Sequence, residues 1–295
     1  MLSTAKILAA IEKRRRIDRR KTNALRLVDG AGDGVPDLII DDFAGRWLAQ
    51  TFSEKKPSID GVLGFHSLYW KILVRGRIAA PQYLAGEEIN RPFSILESGL
   101  QFEIDFHSGF SPGIFLDQRI NRERLRSVAR GKKILNAFSY TCAFGVAAAA
   151  GGAHTTNIDL SRRYLDWGTR NYELNRISIE DHEFLVGNVL DWLKRFRKRG
   201  RNFDIIILDP PTFSRDRRSN IFRVQDGYSP LVKMASECLD HGGMLLCCAN
   251  CHGLSPKEFL RILKSTVPGL CKAFQAVMPP DFTGEQYLKS VWLQF

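Results

Sequence analysis

The chain has 295 residues, 44% hydrophobic and 25% charged, an ordinary composition for a soluble protein with room for one large domain or two modest ones. Its formal net charge of +11 is not ordinary and favours a polyanionic partner, nucleic acid before membrane. The six cysteines lack paired zinc-ligand spacing, no secretory signal stands at the amino end, and the apolar stretch Phe138–Ala153 is too short to span a bilayer. Reduced thiols in a cytoplasmic protein are the expectation.

Residues Ser3–Lys21 read as a helix, with Ser3 or Thr4 as cap and Ile7, Leu8 and Ile11 at helical spacing. Its far end carries Lys13, Arg14, Arg15, Arg16, Arg19 and Arg20. Two accounts of that cluster stand side by side: a solvated face with cations near the carboxyl end of the dipole, or an arm that grips phosphates. Short strands follow at Ala24–Val28, Leu38–Ile40 and Trp47–Phe52, then a helical stretch over Ile59–Leu73 and a Pro/Gly/Glu-rich connector to Pro92. Phe93–Phe106 reads as a hairpin turning at Ser98-Gly99. We read residues 1–104 as a small α/β accessory domain with a basic amino-terminal helix, and 105–295 as the catalytic domain.

From Leu116 onward, helices and strands alternate. A helix over Arg119–Ala129 precedes the strand Lys133–Leu135, and the alternation runs on to Gly243–Leu246. Such a pattern implies a parallel sheet covered on both faces. Ala273–Met278 and Leu288–Gln294 then look like two strands with only a Pro279-Pro280…Gly284 turn between them. A parallel sheet finished by an antiparallel hairpin is the Rossmann-like plan of class I methyltransferases. In open sheets of this kind ligands bind at the carboxyl ends of the strands.

The strand ends carry the chemistry. After the first comes a small-residue loop, Asn136–Gly145 (NAFSYTCAFG), with a single glycine. A dinucleotide site would want G-x-G-x-x-G there for the pyrophosphate, so the loop suits a cofactor with a methionine tail, S-adenosylmethionine. Asp159 ends the second strand, where a carboxylate can accept from both ribose hydroxyls; the same geometry serves NAD. Asn188 follows the third strand, placed for the adenine edge, with Val189 beneath the ring. The fourth strand, Phe203–Leu208, delivers Asp209-Pro210-Pro211-Thr212-Phe213-Ser214. Two prolines after a buried strand fix an extended, donor-poor turn on which a flat base can dock, with Phe213 available to stack. Arg215, Arg217, Arg218 and Arg223 form a basic loop beside it, either solvated or in contact with phosphates.

Ser108–Arg119 (SGFSPGIFLDQR), Leu135–Gly145, Asp159-Leu160-Ser161 and Asp209–Ser214 together resemble the bacterial large-subunit ribosomal RNA methyltransferases, which modify C5 of cytosine or, in a sister branch, N7 of guanine. Thr22–Phe43 also resembles the middle domain of that family, so the likeness covers residues 22–295. The cytosine-C5 enzymes usually begin with an RNA-binding PUA domain, for which no room is expected here, and the basic helix at Lys6–Arg20 would take over part of that role. The resemblance implies S-adenosylmethionine held by Asn136, Phe138, Gly145, Asp159, Leu160, Asn188, Val189 and Asp209, with Asp117, Gln118 and Arg119 at the methionine end. Pro210, Pro211, Thr212, Phe213 and Asn250 would face the base.

Methylation of C5 needs a thiolate to attack C6. The family's cysteine position falls on Asn250 here, and Cys251 is one residue later, within Met244–His252 (MLLCCANCH). The guanine-N7 branch carries asparagine there, and N7 is already a nucleophile that needs only alignment. Cys247 and Cys248 read as strand core, and His252 as a polar loop residue. The expectation is a methyltransferase acting on 23S ribosomal RNA or on a large-subunit assembly intermediate, guanine N7 before cytosine C5, with monomer or homodimer left open. Two rivals remain at this stage: an NAD-dependent Rossmann oxidoreductase, and an RNA-binding protein with a decayed methyltransferase domain.

Overall fold

Two units make up the chain, Met1–Arg119 with Met278–Glu285, and Ile120–Val277 with Gln286–Phe295. The computed structural model describes every residue except 1, 58, 60, 74–79, 110, 212, 216–220, 252 and 268. The break thus falls after Arg119 rather than after residue 104. The reason lies in hydrogen bonds that tie the segment 105–119 to the first unit. Lys71 Nζ donates to the Gly109 carbonyl at 2.6 Å, and the Arg119 guanidinium is bound to Asp281 and to the Ala24 carbonyl.

In the first unit helix α1 (Leu2–Arg14) ends well before Lys21. Its last residue turns inward: Arg14, 1% exposed, pairs with Asp33 at 2.7 Å and donates to the Asp281 carbonyl at 2.6 Å. Five strands follow, β1 (Ala24–Asp29), β2 (Leu38–Phe43), β3 (Arg46–Thr51), β4 (Ser67–Ile72) and β5 (Gln82–Gly86), and they lie in chain order in one sheet. Only β3 and β4 run parallel. Strand β4 corrects the helix expected over Ile59–Leu73. Five of its six residues are buried, and a strand covered on both faces shows no alternation by which to recognise it. Strand β5 lies in the stretch read as connector. The hairpin of β6 (Phe93–Glu97) and β7 (Leu100–Ile104) turns at Ser98 and Gly99, with φ of 52° and 78°, as a two-residue turn demands. Ile7 and Ala10 of α1 pack on Val28, Ile40, Trp47 and Leu68.

The second unit is a seven-stranded sheet. Its elements are α2 (Arg119–Val128), β8 (Lys133–Ala137), α3 (Ala143–Ala150), β9 (His154–Asp159), α4 (Arg162–Leu174), β10 (Glu183–Val186), α5 (Val189–Lys198) and β11 (Phe203–Leu208). A short hairpin, β12 (Phe213–Arg215) and β13 (Ile221–Arg223), precedes α6 (Val224–Ser236), β14 (Leu239–Asn250), α7 (Pro256–Thr266), β15 (Lys272–Ala276) and β16 (Leu288–Gln294). The strand order is β10-β9-β8-β11-β14-β16-β15, and β16 alone runs against its neighbours. This is the sheet plan expected from the sequence. The last strand does not sit at the edge, however; it inserts between β14 and β15.

Side-chain parity sorts the two faces of the sheet. Leu135, Ala137, Ile206, Leu208, Leu245, Cys247 and Ala249 join the apolar cluster made with α5, α6 and α7. On the opposite face Asn157 meets Tyr172 of α4, and Ser290 and Trp292 meet Asn121 of α2.

Candidate functional site

Because β8, β9, β10 and β11 are parallel, their carboxyl ends emerge on one edge of the sheet. The register puts Ala137 beside Ile158 and Leu208, and Val186 beside Asp159. Strand order reverses at β8, so the loops after these strands border the switch point where open sheets bind ligands.

The loop after β8 is bent by three non-glycine residues in left-handed conformation, Phe138, Tyr140 and Cys142, with φ of 60°, 48° and 60°. Each costs roughly 1–3 kcal/mol, so the surroundings must impose the shape. Ser139 N–H extends the ladder to the Ile158 carbonyl at 2.8 Å, and Tyr140 N–H donates to Asp159 Oδ2 at 2.9 Å. Asp159 Oδ1 accepts from Ser161 N–H at 2.9 Å. Burial raises the Asp159 carboxyl above its ordinary value, and the backbone donors of Ser161, Tyr140 and Leu160 pull it back down. Leu160, next along, is 40% exposed.

Two expected cofactor contacts are committed elsewhere. Asn136 is 1% exposed, and its amide donates to Asn157 Oδ1 at 2.9 Å inside the sheet. Gly145 is glycine for packing: a Cβ there would lie 2.2 Å from Asn157 Oδ1 and 2.5 Å from the Tyr172 hydroxyl. After β10, Gly187 N–H donates to the Asp159 carbonyl at 2.9 Å, and Asn188 Oδ1 caps α5 by accepting from Leu190 N–H at 2.8 Å. Val189 is buried in the core cluster, with Phe138 packed partly against that cluster.

At the end of β11, Asp209 is half-buried, Pro210 buried and Pro211 exposed. Thr212 lies outside the described residues, as do 216–220 of the basic loop, and Phe213 is described only as backbone of β12. Beneath this turn Tyr228, which sequence reasoning missed, reaches from α6 to the Leu208 carbonyl at 3.1 Å and the Cys248 carbonyl at 2.9 Å. It ties the ends of β11 and β14 together. Asn250 closes β14 and is exposed, whereas Cys251 continues the strand parity into the apolar cluster beside Leu254 and Phe259. His252 is outside the described residues.

Asp117, Gln118 and Arg119 belong to the first unit and are buried there. Arg119 is held by the Asp281 carboxylate.

Asp159, with each oxygen already oriented by a backbone N–H, keeps further lone pairs for ribose hydroxyls. Ser139 Oγ is buried with no hydrogen-bond partner among the described residues, a polar atom left over for a ligand. The only glycine of the loop is occupied by Asn157 and Tyr172, so it cannot serve as the close-approach glycine of a pyrophosphate cradle. The edge fits S-adenosylmethionine better than a dinucleotide. Among the described residues no group of His, Cys, Asp and Glu is arranged for a metal ion, and no helix is long and apolar enough to cross a membrane.

Residues 66–288 match the model of the S-adenosylmethionine-dependent methyltransferases. The YwbD protein of Bacillus subtilis (strain 168), provisionally named a ribosomal RNA large subunit methyltransferase, is 31% identical over 98% of this chain and 79% of its own length. Ribosomal RNA large subunit methyltransferase I of Aeromonas salmonicida (strain A449) is 33% identical over 83% of the chain, which spans 65% of that protein. Among solved structures, SMU.776, provisionally described as a methyltransferase and complexed with SAH, superposes with a TM-score of 0.90 at 29% identity, covering 100% of this chain and 81% of that one.

Proposed function

This chain belongs to the S-adenosylmethionine-dependent methyltransferase family, and we propose that it methylates a base of large-subunit (23S) ribosomal RNA in the cytoplasm. The observation that carries the cofactor half of this reading is Asp159, held by Tyr140 and Ser161 at the switch point of the sheet. The RNA half is supported by the printed names of the relatives and by the net charge of +11.

Bound S-adenosylmethionine supplies an electrophilic methyl group. In this reading the chain's own residues orient the two reactants. Asp159 accepts the ribose hydroxyls, Asn188 and Val189 border the adenine, and the bent loop from Phe138 to Cys142 borders the methionine tail. Asp209, Pro210 and Pro211 present carbonyls and a flat, donor-poor rim to the base, and Tyr228 fixes that rim by bonding the carbonyl just before it.

Guanine N7 is the acceptor favoured over cytosine C5. Cys251, the cysteine nearest the position a C5 enzyme requires, lies in the apolar cluster, while the exposed Asn250 takes the solvent side. Atom N7 needs no thiolate and no base to remove a proton before attack. Mass spectrometry of ribosomal RNA nucleosides from a strain lacking the protein tests the proposal. Loss of one methylated guanine supports it, loss of 5-methylcytidine moves the acceptor to C5, and an unchanged nucleoside profile sinks the RNA reading.

A further inference from the structure

We infer that a buried hydrogen-bond chain through Thr155, Tyr172, Asn157 and Asn136 holds the loop after β8 in its binding shape, with Tyr172 as the central positioning residue. This rests on the reading of that loop as the cofactor loop.

The chain crosses three elements. Asn136 Nδ2 of β8 donates to Asn157 Oδ1 of β9 at 2.9 Å, and Asn157 Nδ2 donates to the Tyr172 hydroxyl of α4 at 3.0 Å. Tyr172 and Thr155 hydroxyls lie 2.6 Å apart, and Thr155 Oγ1 lies 3.1 Å from His182 Nδ1. Tyr172 donates to Thr155 Oγ1, and His182 Nδ1, unprotonated because the Thr155 N–H donates to it at 3.1 Å, shares its single lone pair with the Thr155 hydroxyl. Asn136, Thr155, Asn157 and Tyr172 are each at most 2% exposed. Four polar side chains in a dry sheet–helix interface are costly unless all are paired, so the chain acts as a unit.

Its position relative to the loop gives it a purpose. Asn136 stands two residues before Phe138, the first left-handed residue. Gly145 stands three residues after Cys142, the last one, and the first turn of α3 rests there directly on Asn157 and Tyr172. The strained segment is thus gripped at both ends by one network. From the same helix as Tyr172, Asn171 Nδ2 donates to the Thr141 carbonyl at 2.9 Å in the middle of the loop. A loop held in an unfavourable backbone conformation relaxes when its supports are cut. None of the chain's members needs to touch a ligand for this to alter cofactor affinity.

The test is steady-state methyl transfer together with calorimetric titration of S-adenosylmethionine, on the full chain. Tyr172→Phe keeps the ring and removes the hydroxyl. We expect KM and Kd for S-adenosylmethionine to rise about tenfold, with kcat at saturating cofactor and KM for RNA within about twofold. Thr155→Val, nearly isosteric at the outer end, should move the same two constants in the same direction and covers the case in which Tyr172→Phe does not fold. Phe259→Leu, a core change on the opposite face of the sheet, serves as control: it should lower the melting temperature without moving KM for the cofactor. Asp159→Ala reports on the cofactor site itself. Raised KM in Asp159→Ala with unchanged KM in both Tyr172→Phe and Thr155→Val overturns the positioning role and leaves the site in place. Unchanged affinity in Asp159→Ala overturns the site and this inference with it.

Discussion

Ionisation gives a carboxylate its full acceptor capacity and the charge that strengthens its bonds to two ribose hydroxyls, and burial sets the Asp159 carboxyl above the ordinary 3.8. Cofactor affinity should therefore be flat at neutral pH and fall as pH drops through that raised value, where the bound state loses its acceptor. Asp159→Ala should remove the acid limb and cost about 1.5–3 kcal/mol of binding at neutral pH, read by calorimetric titration on the folded variant. Gly145 makes a different prediction, because its lack of a side chain serves packing. Gly145→Ala forces a methyl into Asn157 and Tyr172 and should destabilise the protein by roughly 1–3 kcal/mol, visible as a lower melting temperature. Cys251 separates the two acceptor chemistries. Cys251→Ser should retain methyl transfer, since the thiol sits in the apolar cluster; a covalent adduct through Cys251 on RNA containing 5-fluorocytosine would instead place the enzyme among C5 methyltransferases.

Helix α1 shows how much an element can differ from its composition. Its cationic end reads as one cluster, yet the side chains of Arg14 and Asp33 are each at most 1% exposed and face each other at 2.7 Å. Arg15 pairs with Glu12 at the surface, and Arg19 reaches Asp42. Arg14→Gln would leave the buried Asp33 with only the exposed Lys13, 3.4 Å away, as counter-charge and should cost about 3 kcal/mol in urea denaturation. Asp33 is held below its ordinary value: burial pushes it up, but Arg14 and the Asp29 N–H win. Its contribution is thus present above the unfolded carboxylate value and is lost as pH falls through the lower folded one. No spacing rule reveals this pair, because the partners of Arg14 lie 19 and 267 residues away. The same limit explains what else was hidden. Strand β11 was legible as an apolar run, and β8 and β9, with few apolar residues, by the small-residue loop and the acid Asp159 that follow or end them. Strand β4 was not, being buried on both faces, nor was the place of β16 between β14 and β15, which depends on pairing across the sheet. Asn157 left a faint trace as a polar residue in the middle of a buried strand. Tyr228 left none, since its role lies in two carbonyls brought together only by folding.

At the scale of the whole molecule the excess of positive charge and the cofactor edge answer to different physics, and salt tells them apart. A protein that neutralises phosphates releases condensed counterions, so log affinity for RNA falls with log salt at roughly 0.7 per contact on single strands and 0.9 on duplexes. Cofactor binding at Asp159 depends on hydrogen bonds to neutral hydroxyls in a half-buried site, where screening is weak. With a net charge of +11, binding to a large-subunit RNA fragment should weaken steeply as salt rises while Kd for S-adenosylmethionine stays nearly constant. Within that charge the exposed cations just past α1 can be isolated, provided Arg14 is left alone to hold the fold. Replacing Arg15 and Arg16 by Gln should flatten the RNA salt slope by roughly 1.5 units, with melting temperature and cofactor affinity unaltered. Filter binding across a salt series measures the slope directly. A slope equal to that of the unmodified protein would make this helix end a solvated surface and leave the recognition of RNA to other parts of the chain.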